Sequence, residues 1–197
     1  MENTISLKKT KNILINLDSS TDRLNFSTQI LNKLQIPFNR FSAIKHDIGI
    51  LGCGLSHYDL LSTIKPNTLI LEDDIESTEF FSLNLSVPKE ADAIYLGISD
   101  HGYIRNQRMG YRGTVLASQY NKNYKRVFNM CSTHAILYLS QKYINAAKDI
   151  VFECLQKSIP FDLGLAAIHK DYNILTPNDP MFYQIEQSEF TKFSLKV

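Results

Sequence analysis

The sequence predicts an α/β fold whose central, mostly parallel sheet is flanked by helices. Short apolar runs of strand length alternate with amphipathic stretches of helical period through the first half of the chain. One of those runs, Leu69-Ile70-Leu71, opens directly onto Glu72-Asp73-Asp74. Open α/β sheets bind ligands beyond the carboxyl ends of their strands. With 197 residues, 44% hydrophobic and 21% charged, the chain has the size and balance of one globular domain.

The elements follow in order. Asn12 to Leu17 is a β-rich run that ends at Asp18. Ser19 or Ser20 caps a following helix, along which Phe26, Ile30 and Leu34 recur at helical spacing beside Leu24 and Leu31. Pro37 stops that helix, and Phe38 to Ile44 reads as a second strand. A second helix runs from about Gly54 to Lys65, with Leu55, Tyr58, Leu61 and Ile64 on one face. Pro66-Asn67 turns into the strand Thr68 to Leu71, and Asp92 to Gly97 is a further strand. Gly102 to Gly113 is a polar loop carrying Arg105, Arg108 and Arg112. Beyond it, Thr114 to Tyr120 and Lys125 to Met130 pair as a hairpin across Asn121-Lys122-Asn123. Thr133 to Ser140 is a strand, and Tyr143 to Leu155 is an amphipathic helix through Ile144, Ala147, Val151 and Leu155. A short helix around Asp162 to Lys170 and a strand near Asn173 to Leu175 complete the order.

Charge narrows the ligand. Lys plus Arg total 21 against 20 acidic residues, a formal net charge of +1. Such a balance argues against a broad nucleic-acid groove, whose affinity rests on many released counterions, and against a polybasic membrane anchor. No stretch approaches a membrane span, and the polar segment Met1 to Lys11 is unlike a secretory signal. Cys53, Cys131 and Cys154 form no CxxC pair, which points to a reducing cytosol or the cytosolic face of a membrane. An anionic ligand would therefore be held by local chemistry.

Glu72-Asp73-Asp74 supplies a place for that chemistry. Three consecutive carboxylates repel one another unless a cation sits among them. Strand alternation would put Glu72 and Asp74 on one side and Asp73 on the other. A hard divalent cation with oxygen ligands, shared with phosphates, is the natural partner. The alternative is an acidic loop with one carboxylate capping a helix and two solvated. Cys53 and His57 stand four apart on a helix, a spacing that suits a soft metal, but with no second pair nearby they read as a buried thiol and a helix-face histidine. His134 flanks a strand, and His169, beside Lys170 and Asp171, reads as a surface residue.

Several short segments carry a resemblance. Ile15-Asn16-Leu17-Asp18 is followed by Asp22-Arg23, and Phe41-Ser42-Ala43-Ile44 closes the second strand. Gly52-Cys53-Gly54-Leu55-Ser56-His57, Leu71-Glu72-Asp73-Asp74, Thr133-His134-Ala135 and Pro160-Phe161-Asp162 follow, with Gln184 after Pro180. In this order, from about residue 12 to 187, they resemble glycosyltransferase family 25, the lipooligosaccharide-type sugar transferases that include collagen galactosyltransferases. The sequence departs from that pattern at Lys45-His46, where the family has Asp-Gly, and at Ile136, where an aromatic is usual.

The resemblance implies a single GT-A-like domain over residues 1–197, with a nucleotide-binding half at 12–100 and an acceptor or closing half at 101–197. It implies transfer of galactose or a related hexose from a UDP-sugar to a glycan or lipid-linked oligosaccharide acceptor, with inversion. Asp74, with Asp73 and Glu72, would hold Mn²⁺ or Mg²⁺, the Lewis acid for the departing diphosphate. Asn16, Leu17, Asp18, Arg23, Ala43, Ser56 and His57 would line the nucleotide cleft beside Glu72 and Asp73, with Arg23 either at the phosphates or paired on the helix surface. Asp162 would be the general base that inversion requires, with His134 in reserve; Asp162 otherwise caps the helix after it. Arg105, Arg108 and Arg112 would close over the diphosphate or remain solvated loop charges.

Two other function classes fit the residues. One is a different metal-dependent nucleotide enzyme, against which the lack of a Gly-rich phosphate loop counts. The other is a catalytically silent module that binds a sugar nucleotide or glycan.

Overall fold

Continuous apolar runs build a central sheet that is buried on both faces. The computed structural model describes residues 2–102 and 113–185. In chain order the strands and helices are β1 (Glu2–Ser6), β2 (Lys11–Asn16), α1 (Thr21–Lys33), β3 (Asn39–Ser42), α2 (Gly49–Thr63), β4 (Thr68–Glu72) and β5 (Ile75–Ser77). Next come β6 (Asn84–Pro88), β7 (Ala93–Tyr95), β8 (His101–Gly102), β9 (Gly113–Thr114), β10 (Leu116–Gln119), β11 (Tyr124–Asn129) and β12 (Ala135–Tyr138). The chain continues through α3 (Gln141–Gln156), α4 (Phe161–Ile168), a 3-10 turn at His169–Asp171, β13 (Ile174–Pro177) and β14 (Phe182–Gln184).

The central sheet has eight strands in the order β10-β11-β13-β7-β12-β4-β2-β3. β2 pairs in parallel with both β3 and β4, and β7 pairs in parallel with β13. β12 runs antiparallel between β4 and β7, and β11 antiparallel between β10 and β13. Six of the eight strands therefore point the same way, with β12 and β11 reversed. The fold is the expected α/β arrangement of a mostly parallel sheet between helices.

Alternation sorts the side chains into two cores. Ile13 and Ile15 of β2, Ile70 of β4, Tyr95 of β7 and Ile136 and Tyr138 of β12 pack with Leu60 and Leu61 of α2, Ile144 and Val151 of α3, and Leu165 of α4. Leu14, Leu69, Leu71, Ile94 and Leu137 face the other way, toward Leu31 of α1, Leu85 and Val87 of β6, and Phe182 of β14. Burying each such side chain stabilises the fold by roughly 1.5–3 kcal/mol before entropy is counted.

Several boundaries differ from the sequence reading. α2 begins at Gly49, five residues before Gly54, because Gly52 and Gly54 serve as contact surfaces rather than as helix breakers. Ser20 is the N-cap of α1 by position but makes no side-chain cap bond, whereas Ser140 caps α3 by accepting from the Tyr143 amide at 3.2 Å. The turn at Pro66-Asn67 is present, with Asn67 in the left-handed region at φ 67°. β1 pairs antiparallel with β6 as a separate ribbon, and β14 pairs antiparallel with β5; neither pairing was visible in the sequence. Arg105, Arg108 and Arg112 lie outside the described residues.

Candidate functional site

Parallel pairing of β2 and β4 brings their carboxyl ends side by side, so Asn16, Leu17 and Glu72-Asp73-Asp74 share one edge of the sheet. A cavity of about 380 Å³ opens there, walled also by Ser20 and Arg23, the segment Ala43 to His46, and Gly49, Gly52, Cys53 and Ser56 of α2. The loop after β3 is seated on α2 at Gly52, where a Cβ would lie 2.7 Å from the Ile44 carbonyl oxygen. Ser56 secures the same contact: its Oγ donates to the Gly52 carbonyl and accepts from the Ile44 amide, both at 2.8 Å. These contacts account for Gly52 and Ser56 in the Gly52 to His57 segment.

β4 ends at Glu72, and Asp73-Asp74 form a turn. Strand alternation therefore does not extend across the three carboxylates, and their partners divide differently from the expected pattern. Arg23 bridges Asp73 Oδ1 at 2.6 Å and Asp74 Oδ2 at 2.8 Å. Asn16 Nδ2 donates to the second Asp73 oxygen at 2.6 Å, and Ser27 Oγ donates to the Asp73 carbonyl at 2.6 Å. Glu72 instead meets His57 Nε2 at 3.1 Å.

Each carboxyl responds to its surroundings. Burial works to raise Glu72, but the hydrogen bond and charge of His57, with Thr133 and His134, hold it below its usual range. Burial, then the charge of Glu72, pushes Asp74 up to about 7 against the pull of Arg23. One Asp74 oxygen, Oδ1, is buried without a hydrogen-bond partner among the described residues. The other also receives Gln184 Nε2 at 3.5 Å, and the Ile185 amide donates to the Asp74 carbonyl at 2.7 Å. Burial, then the charges of Glu72, Asp74, Asp162 and Asp73, keeps the Cys53 thiol protonated, well above its ordinary range.

The remaining expected residues fall in several places. Leu17 and Ala43 line the cavity. Asp18 lies at the exposed edge, ion-paired to Arg40 and accepting from Ser42 Oγ at 2.8 Å; these hydrogen bonds lower its pKa. Arg40, which the sequence reading did not single out, also donates to Asn16 Oδ1 at 3.0 Å and so braces the residue that holds Asp73. Its position on a half-exposed edge strand gave no signal in sequence. Ser56 lines the cavity, whereas His57 is fully buried behind it against the Phe161 ring, with centroids 4.6 Å apart.

Asp162 is in the first turn of α4, and Pro160 occupies the N-cap position. The Asp162 carboxyl accepts from the Leu163 amide at 2.9 Å. Burial raises it to about 6 against that amide, with Glu72 adding to the rise. His134 is buried, and burial lowers its pKa while Glu72 opposes. Its Nδ1 is 3.2 Å from Ser132 Oγ, and its Nε2 has no hydrogen-bond partner among the described residues. His169, expected at the surface, is fully buried, with Nε2 3.0 Å from the Tyr95 hydroxyl. Tyr95 and Tyr143 share a 2.8 Å hydrogen bond, a polar chain that burial makes obligatory.

The donor set can be tested against a hard cation. Asp74 fits: it offers a buried carboxylate oxygen that no group among the described residues satisfies and whose charge burial disfavours. Asp73 offers an oxygen that now engages Arg23. The Glu72 carboxylate engages His57 instead.

No protein-family profile and no curated protein matches the chain. Among solved structures, the chain is similar to a nucleoside-diphosphate-sugar pyrophosphorylase from Vibrio cholerae RC9, with 14% identity and a TM-score of 0.41. That match covers 86% of this chain and 73% of the other. No helix among the described residues is long and apolar enough to cross a membrane.

Proposed function

We propose that the chain is a metal-dependent glycosyltransferase that moves a hexose from a UDP-sugar to a glycan or lipid-linked oligosaccharide acceptor, with inversion. The observation that carries this reading is the buried Asp74 Oδ1, without a hydrogen-bond partner among the described residues, in the wall of a cavity at the carboxyl ends of β2 and β4. The ordered segments from Ile15 to Gln184 support it.

Asp74, joined by Asp73, would hold Mn²⁺ or Mg²⁺, which supplies Lewis-acid stabilisation to the departing diphosphate. Asn16 fixes one Asp73 oxygen, and Arg40 fixes Asn16, so the acidic turn is oriented before any ligand arrives. Arg23 reaches the same turn from the start of α1, and its planar fork suits phosphate oxygens. Leu17, Ala43 and Ile44 provide apolar wall for a nucleoside. Asp162, in the first turn of α4 and outside the residues that line the cavity, would accept the proton of the acceptor hydroxyl as that oxygen attacks the anomeric carbon and the bond to the diphosphate breaks; a pKa of about 6 suits such a base.

Calorimetry with UDP and Mn²⁺ tests the proposal. Wild type binds UDP more tightly with the metal than without it, and Asp74→Asn loses that difference while keeping its circular dichroism. Equal UDP binding by wild type and Asp74→Asn in the presence of Mn²⁺ overturns the assignment.

A further inference from the structure

Cys53 and His57 lie one turn apart on α2, a pairing that lacked a third ligand in the sequence. The fold supplies it. β4 delivers Glu72 to the same point, and the Cys53 thiol, one imidazole nitrogen and one Glu72 carboxylate oxygen all lie within 4.8 Å of one another. The His57 Nε2 to Glu72 Oε1 distance is 3.1 Å. Two donors at about 2.0 Å from a tetrahedral Zn²⁺ stand roughly 3.3 Å apart, so this edge of a coordination shell is nearly set.

We propose that Cys53, His57 and Glu72 form a site for a thiophilic divalent cation of the Zn²⁺ class, separate from the hard-cation position at Asp73-Asp74. Preorganisation supports it. The donors come from two elements, α2 and β4, and the fully buried His57 ring is held with Nε2 turned to Glu72, so two of the three donors are in place before an ion arrives. Cys53 and Glu72 both line the cavity, which gives the ion a path from solvent. The Phe161 ring packs against the imidazole, with centroids 4.6 Å apart. Sulfur and nitrogen donors select this cation class over Mg²⁺, which prefers an all-oxygen shell. Coordination replaces the Cys53 S–H bond with a sulfur–metal bond and releases one proton to water.

The inference does not depend on glycosyl transfer. Its test is a Co²⁺ titration of the reduced protein without nucleotide. Wild type develops a thiolate-to-cobalt charge-transfer band that one equivalent of Zn²⁺ removes. Cys53→Ser, verified as folded by circular dichroism, loses the band although Cys131 and Cys154 remain. Glu72→Gln keeps a weaker band, with Co²⁺ affinity reduced about tenfold or more. Asp74→Asn retains the full band, so failure of the UDP and Mn²⁺ experiment is distinguishable from failure here. A wild type without the band, or a Cys53→Ser protein that keeps it, overturns the site.

Discussion

The His134 ring lies directly against the Cα of Gly97, at a distance where a Cβ on Gly97 would stand 1.9 Å from Nε2. β7 and β12 are neighbours in the sheet, and both residues lie just beyond the ends of these strands that carry Tyr95 and Ala135. Gly97→Ala is therefore expected to destabilise the protein by about 3 kcal/mol through overpacking. Adding His134→Ala recovers part of the loss, because the two sites are coupled. Urea denaturation of the two single variants and the double variant measures the coupling, and additive effects would show that the clash is relieved elsewhere.

The acidic turn makes stability depend on pH. The folded Asp74 pKa, about 7, exceeds the ordinary 3.8, so the folded state binds more protons than the unfolded state between those values. The Asp74 contribution to stability is greatest near the acid end of that window and is lost as pH rises through about 7. The loss is at most about 4 kcal/mol, at 1.36 kcal/mol per pKa unit. Asp74→Asn removes it. The variant is expected to melt higher than wild type at pH 8, with the advantage gone near pH 4. A calorimetric melting series checks this.

Arg23 opposes the same effect. Arg23→Ala takes the shared cation from Asp73 and Asp74 and is expected to cost about 1–2 kcal/mol at pH 8. The deficit shrinks at pH 5, where Asp74 is protonated. Arg23→Lys restores only part of it, since an ammonium lacks the guanidinium fork. Melting temperatures at the two pH values separate these outcomes.

Under the proposed reaction, Asp162 works as a base only when ionised. The wild-type kcat/KM for sugar transfer is expected to rise with pH through a limb centred near 6. Asp162→Asn lowers kcat at least a hundredfold, leaves UDP affinity unchanged and loses the limb. A pH–rate series on both proteins decides the point, and a retained limb assigns the proton to another group.

Much of the central sheet was legible because its strands are continuous apolar runs bounded by Asp, Pro or polar turns. β2, β4 and β12 announce themselves this way, and the hairpin of β10 and β11 does so through the Asn121-Lys122-Asn123 turn between its strands. β1 and β6 did not. Alternate residues of Asn84–Pro88 are exposed, and Glu2–Ser6 is largely exposed, so their pairing depends on a partner about eighty residues away rather than on any local pattern. At the site, the apolar strand before Glu72-Asp73-Asp74 located the acidic turn. Which carboxylate meets which cation could not be read, because the strand stops at Glu72 and alternation stops with it. Arg40 braces Asn16 only because β3 pairs in parallel with β2. His169 looked exposed from its charged neighbours, but a 3-10 turn rotates it inward to Tyr95.

The pairing of β14 with β5 has a consequence for synthesis on the ribosome. Phe182, Tyr183 and Gln184 dock against Ser77, Glu76 and Ile75, and the neighbouring Ile185 amide anchors the Asp74 carbonyl. Asp74 thus emerges more than a hundred residues before the segment that fixes it. A nascent chain ending at Pro177 already contains every strand of the eight-stranded sheet, yet its acidic turn still lacks that tether. The order of synthesis thus puts the tether of the site after every strand of the scaffold.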